Sequence, residues 1–411
     1  MTEQIEREEP RLDVKDTGAD PYPEYRRLRQ ECPVSRVRGG NGLEAYLVTR
    51  YEDAREALND ARLAKDPRHG AAMMAASGAP LPKPDGPNLA NHMLASDPPE
   101  HTRLRRLLVR EFTPRRVEGM RGRVQEITDG LAENVRRRVA EGAEVVDLLT
   151  EFAFPLPMSV ISELLGIPLE DMDRFRDWSR AILLPLGTPG QAEGLRELSG
   201  YLGELMAAKK AAPGEDLFSA LAAAEEEDRL SPAELIGTAI LMIIAGHDTT
   251  VNLIANGLLA LLRHPDQLAL LRERRDLLPD AIEEFLRYDA PLERATARWA
   301  VEDVEIAGTT IPKGSLVSIV LGSANRDEGA FAGGEAFDIT RSSDNRHIAF
   351  GHGIHYCIGA PLARLEGQVA FNTLLDAFPT LELAVPEEDL RWRHSIVMRG
   401  LESLPVRVGL G

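Results

Sequence analysis

The run Phe350-Gly351-His352-Gly353-Ile354-His355-Tyr356-Cys357-Ile358-Gly359 places a cysteine on a glycine-rich loop directly ahead of a helix-forming segment, Ala360 to Ala377. A helix start offers unpaired N–H groups and the positive end of the dipole, and both favour a thiolate over a thiol. The residues read as a sulfur ligand held for a haem iron, with Gly351, Gly353 and Gly359 removing Cβ atoms where a flat macrocycle must approach the backbone. A lone cysteine is more often a small buried hydrophobe. A zinc site built from His352, His355 and Cys357 would need a fourth ligand, and Cys32 lies far away with no ligand-like spacing around it.

A second constellation, Ala245-Gly246-His247-Asp248-Thr249-Thr250, falls inside an apolar pattern from about Ser231 to Leu262. The opening Ser-Pro-Ala-Glu predicts a capped helix start with proline in the first turn. Ala245 and Gly246 are small enough to admit a planar group and O2, and Asp248 and Thr249 set a carboxylate and a hydroxyl beside that gap. The bland alternative is a helix irregularity whose threonine bonds back to a carbonyl while its aspartate faces solvent. A third pattern, Glu284-Phe285-Leu286-Arg287, puts an acid and a base on one helical face.

Taken together these residues carry a resemblance. Phe350 through Arg364, reading FGHGIHYCIGAPLAR, resembles the ligand-loop signature of the cytochrome P450 family, Ala245 to Thr250 its oxygen-binding helix, and Glu284 to Arg287 its structural Glu-x-x-Arg. The resemblance covers nearly the whole chain from Asp20. It implies a mainly α (α+β) cytochrome P450 fold, helix-rich with small β-sheets, as a single haem domain over residues 1–411 with 1–19 a flexible segment. The cofactor is haem b, ligated by Cys357. Phe350, Gly359, Ala245 and Gly246 contact it, and His101, Arg105, Arg298 and His355 serve its propionates, since buried carboxylates need cationic partners. Asp248 and Thr249 are the catalytic pair that guides protons to bound dioxygen. Gly334 stands where many members carry proline.

The implied activity is insertion of one oxygen atom of O2 into an unactivated C–H bond. Peroxide-driven members normally lack the acid and alcohol pair, and a haem-thiolate sensor would need an output domain. By family position the substrate pocket draws on Met93, Leu94, Leu183, Met242, Ile243, Leu292, Glu293, Arg294, Ile396 and Val397. They describe a largely apolar cavity, with Glu293 and Arg294 the polar exceptions. The segments are most similar to actinobacterial macrolide- and polyketide-tailoring members, so a neutral macrolactone is expected; terpenes, steroids and fatty acids are alternatives.

Composition is consistent with a globular protein, 43% apolar and 28% charged. A net charge of −18 argues against nucleic acid. The apolar stretch Leu235 to Gly246 is too short to span a membrane, and two cysteines give no disulfide framework, so a cytoplasmic, membrane-free location is expected. No Gly-x-Gly-x-x-Gly occurs, so electrons are expected from a separate ferredoxin and ferredoxin reductase. The arginine run Arg103, Arg105, Arg106, Arg110, Arg115, Arg116, Arg121 and Arg123 reads either as a docking patch for that acidic carrier or as a solvated helix face. Elsewhere the pattern predicts strands at Val34 to Val37 and Ala45 to Thr49 around a Gly39 to Gly42 turn, long loops over Pro67 to Ser96 and Leu183 to Gly190, helices at Val124 to Val139 and Leu195 to Lys210, and a short loop at Ala222 to Asp228.

Overall fold

A computed structural model describes residues 20–38, 44–76, 90–182, 188–226, 229–341 and 346–410. The expected turn at Gly39 to Gly42 and the pocket candidate Leu183 lie outside the described residues, as does the segment 1–19. Helices dominate, and their core is the 32-residue helix Pro232–Arg263. Ser231 and Glu234 form a reciprocal cap: the Ser231 hydroxyl accepts from the Glu234 N–H at 3.2 Å, and the Glu234 carboxylate accepts from the Ser231 N–H at 2.8 Å. Pro265 begins the next helix and stops this one.

A helix apolar on every face must be enclosed. This one packs against Pro155–Leu165, Leu278–Tyr288 and Ala360–Ala377. As a helix it is longer than its apolar run suggested, long and apolar enough to cross a membrane, but 78% of its apolar window is buried inside the protein. At Gly257 a Cβ would stand 2.7 Å from the Phe285 ring, so the crossing with Leu278–Tyr288 is close enough to require glycine.

The β structure is peripheral. A five-stranded sheet runs in the order Val34–Arg38, Glu44–Val48, Leu316–Ile319, Arg298–Ala300, Leu63–Ala64, with one parallel pair, Glu44–Val48 beside Leu316–Ile319. It brings Arg298 and the residue after Ala64 to the edge of the site. The predicted loop from Ala222 is helical to Glu226, within Leu217–Glu226, because its alanine and glutamate content favours a helix.

Glu284 and Arg287 are fully buried and bidentate, at 2.7 Å for both contacts. Arg287 also donates to the carbonyls of Asn325 (2.9 Å), Gly334 (2.6 Å) and Ala336 (2.8 Å). A Cβ at Gly334 would stand 2.6 Å from the Arg326 carbonyl, which accounts for glycine in this loop.

Candidate active site

The helix Ala360–Ala377 starts three residues after Cys357, and the loop before it is closed by its own backbone. Cys357 N–H donates to Phe350 O at 3.0 Å, Tyr356 N–H to Gly353 O at 3.0 Å and Gly351 N–H to Ile348 O at 2.8 Å. Gly351 and Gly353 take φ of +72° and +74°, where a side chain is strained. Arg364 braces the loop, its guanidinium 2.6 Å from Glu283 and 4.6 Å from the centre of the Phe350 ring. Arg105 donates to Tyr356 O at 2.7 Å.

Cys357 faces a cavity that, mouth included, holds about 1440 Å³ of empty space. Burial pushes its thiol up from the ordinary value, although the N–H groups of Gly359 and Ala360 and the Arg105 charge act in the opposite sense. The N–H groups at the helix start thus act on this thiol in the expected sense, and desolvation of the charged form opposes them. A bound cation reverses that balance, because a coordinating thiol is deprotonated by the metal.

Of the residues expected at the cofactor, Arg105, Ala245, Gly246, Arg298, Phe350, His355, Cys357 and Gly359 all line this cavity. His101 sits just behind, its ring 4.3 Å from that of His355. The cavity tests whether a dicarboxylate macrocycle fits. His355 Nε2 and Arg298 Nε are buried without a hydrogen-bond partner. Burial, then Lys65, His101, Arg298 and Arg105, drive the His355 pKa down to about 2. Burial likewise lowers Arg298, to about 10. Arg105 and Arg298 around an uncharged His355 are poised for negative charge, which a haem's two propionates bring. The group fits the residues present.

On the long helix, Ala245, Gly246, Thr249, Thr250 and Leu253 line the cavity. Thr249 donates its hydroxyl proton to Ala245 O at 3.0 Å, which leaves the oxygen's lone pairs for a cavity guest. A Cβ at Gly246 would meet Ile161 Cδ1 at 2.7 Å, so packing against Ile161 also demands this glycine. Asp248 does not line this cavity, nor does it face solvent. It is buried and paired with Arg393 Nη1 at 3.0 Å, in a separate polar cavity shared with His247, Ser179 and Glu402.

Met93, Leu94, Met242 and Leu292 line the main cavity. Ile243, Glu293, Arg294, Ile396 and Val397 do not, and each has a physical reason. Ile243 is fully buried in the core. Glu293 accepts from the Tyr25 hydroxyl, and Arg294 donates to that oxygen at 3.2 Å, so both polar exceptions are turned away to the N-terminal helix Tyr22–Glu31. Ile396 is 57% exposed. Val397 contributes its carbonyl, which accepts the Glu293 N–H at 2.8 Å. Lys65, Thr296, Leu241, Ile161, Phe112 and Glu366 were missed, and all line the cavity. Only the sheet register, which sets Lys65 beside Arg298, brings the first of these into view.

A cysteine-bearing loop, a cavity lined by that cysteine and by cationic side chains, and a continuous long helix that carries an acid and an alcohol define a haem-thiolate oxygenase. The chain belongs to the cytochrome P450 family. The Cytochrome P450 family profile matches residues 207–399. Cytochrome P450 monooxygenase PikC of Streptomyces venezuelae is 49% identical over 96% of this chain and 92% of its own length. The 6-deoxyerythronolide B hydroxylase of Saccharopolyspora erythraea is 42% identical over 97% of this chain and 98% of its own. The tirandamycin C-bound structure of the P450 monooxygenase TamI superposes with a TM-score of 0.88 at 44% identity, over 97% of this chain and all of that one. The protein is thus a haem b monooxygenase that takes O2, a small-molecule substrate and electrons from redox partners.

Proposed function

We propose that this monooxygenase hydroxylates a neutral, bulky, apolar macrolactone or related polyketide in antibiotic biosynthesis, as one haem domain working in the cytoplasm with a ferredoxin and its reductase. The observation that carries the substrate reading is the wall chemistry. Met93, Leu94, Leu241, Met242 and Leu292 are apolar, and Glu366 is the sole carboxylate lining the cavity among the described residues. It lies on the Cys357-side helix and is pushed up to about 8 by burial, so it is neutral at physiological pH. A cationic guest such as an amino sugar has no partner among these groups. The names borne by the 6-deoxyerythronolide B hydroxylase and the tirandamycin-bound structure support the same class.

Haem, when bound, supplies oxygen activation, and thiolate ligation favours O–O cleavage. This chain's own residues do the rest. Cys357 ligates, while Arg105, Arg298, His101 and His355 hold the carboxylates. The apolar wall excludes water and orients one C–H bond. Thr249 presents a hydroxyl at the cavity wall, and Asp248, held by Arg393 on the far side of the helix, is the acid of the pair. For the electron carrier, the arginine run is partly spent: Arg103, Arg116, Arg121 and Arg123 pair with Glu234, Glu111, Glu118 and Glu163. The docking role falls to Arg106, Arg110 and Arg115.

Titrating macrolactones, steroids and fatty acids into the ferric protein and following the spin state tests the substrate class. A shift with macrolactones alone is expected; a shift confined to another class overturns it. For the proton pair, Thr249→Ala should retain the haem spectrum yet divert reducing equivalents to peroxide, and unchanged coupling to product would remove Thr249 from that role.

A further inference from the structure

The short strand Leu63–Ala64 pairs antiparallel with Arg298–Ala300, Leu63 opposite Ala300 and Ala64 opposite Trp299. One step further along that register, Lys65 stands opposite Arg298. Both are 5% exposed and both line the main cavity. Like charges facing each other across an antiparallel pair destabilise it, and burial makes each costlier. Yet among the described residues no carboxylate is hydrogen-bonded to the Lys65 ammonium, and burial, then the Arg298 charge, holds its pKa well below the usual lysine range, a penalty that anionic charge in the cavity would offset. Its ammonium donates to three neutral oxygens: Thr296 O at 2.9 Å, Ala297 O at 2.8 Å and the Thr296 hydroxyl. The carboxylate of Asp97, which acts on Lys65 only through space, is spent on backbone N–H groups, of Lys65 at 2.9 Å and of Asp66 at 3.0 Å. Arg105 adds a third cation to the same cavity.

A chain that folds three cations around one space needs anionic charge to enter it. We infer that Lys65 is a further member of the cradle for the haem carboxylates, and that its charge, acting through space, favours the reduced form of the haem. This rests on the family cofactor and goes beyond it, since neither the ligand loop nor the expected partners His101, Arg105, Arg298 and His355 include Lys65. The three hydrogen bonds fix where the charge sits by fastening the lysine to the Thr296–Ala297 segment that leads into Arg298. Lys65 is thus a positioning residue with an electrostatic effect.

The test compares Lys65→Met, which keeps length and loses charge, with Lys65→Arg, which keeps charge. Two quantities are read in each haem-loaded protein: the ferric/ferrous midpoint by spectroelectrochemistry, and the rate of haem loss to apomyoglobin. Lys65→Met should shift the ferrous:ferric equilibrium about tenfold toward ferric, which is about 59 mV for a one-electron couple, and hasten haem loss by about tenfold. Lys65→Arg should stay within about threefold on both. If Lys65→Met holds haem with an unchanged midpoint and loss rate, the charge has no part and the inference falls. If Lys65→Met retains no haem while Lys65→Arg does, the charge requirement stands. Loss from both variants alike would assign Lys65 to packing and overturn the inference. Absence of haem from the unmodified protein would instead sink the cofactor reading itself.

Discussion

Replacing Glu366 by glutamine should stabilise the protein, and increasingly so as pH rises. Glu366 is 1% exposed, and its Oε2 has no hydrogen-bond partner. Burial alone pushes its pKa up from 4.5 to about 8. Because the folded-state value is the raised one, an acid here contributes fully below its unfolded pKa and loses that stability as pH rises through the folded pKa. Each unit of separation is worth about 1.4 kcal/mol. At pH 7 the unfolded chain gains about 3 kcal/mol by releasing a proton that the folded state retains, and above pH 8 the penalty levels off near about 5 kcal/mol. Against a typical stability of roughly 5–15 kcal/mol this is a large fraction. Glutamine has nearly the same shape and no proton to release. Urea unfolding of both proteins at pH 5, 7 and 8.5 measures the difference. It should be under about 1 kcal/mol at pH 5 and climb to about 3 at pH 7. A difference that does not change with pH would refute the buried neutral acid, and so would a glutamine variant less stable at every pH.

Two further substitutions probe the frame around the site. Arg287→Met leaves Glu284 buried without its bidentate partner and strips donors from the carbonyls of Asn325, Gly334 and Ala336, so a loss of about 3–5 kcal/mol is expected in urea unfolding. A loss below about 1 kcal/mol would show that Arg341, 3.2 Å from Glu284, suffices alone. Gly246→Ala drives a Cβ to within 2.7 Å of Ile161 Cδ1, and because Ile161 lines the cavity it should cost about 1–3 kcal/mol and weaken the substrate-induced spin shift together. A stability loss with an unaltered spin shift would place the Ile161 adjustment away from the guest.

Motifs whose meaning is local were legible in the sequence. The cysteine loop and the helix Ala360–Ala377 fall where glycine content and periodicity put them, and the Ser231 cap announces its helix four residues before the apolar face is established. Direction was harder to read than position. Leu292 to Ala295 is a pocket segment, but its side chains diverge: Leu292 and Ala295 meet the cavity, while Glu293 and Arg294 turn to Tyr25. Lys65, in an Ala-Lys-Asp-Pro run, has the sequence appearance of a surface lysine. Its burial depends on pairing with a strand more than 230 residues away, which no local pattern encodes. At Cys357 the helix-start argument gives the right sign for the N–H groups of Gly359 and Ala360 but omits the opposing cost of burying the charge.

Asp248 and Thr249 show how neighbours in sequence become residents of different compartments. Successive residues of a helix are turned by about 100°. Ala245, Gly246, Thr249 and Leu253 therefore share the face toward the main cavity, and His247, Asp248 and Val251 share the face toward the second. The helix is a partition. On one side the polar charge is cationic and the wall beside the guest is apolar; on the other lies a buried carboxylate held by Arg393, which also donates to Asn252 at 2.6 Å. A buried carboxylate without Arg393 would carry a large desolvation cost, so the ion pair is what lets an acid exist behind an apolar pocket at all. If the pair acts as proposed, a proton held near Asp248 has to cross this partition, and the Thr249 hydroxyl, bonded to the Ala245 carbonyl on the cavity face, is the polar group that the helix offers there.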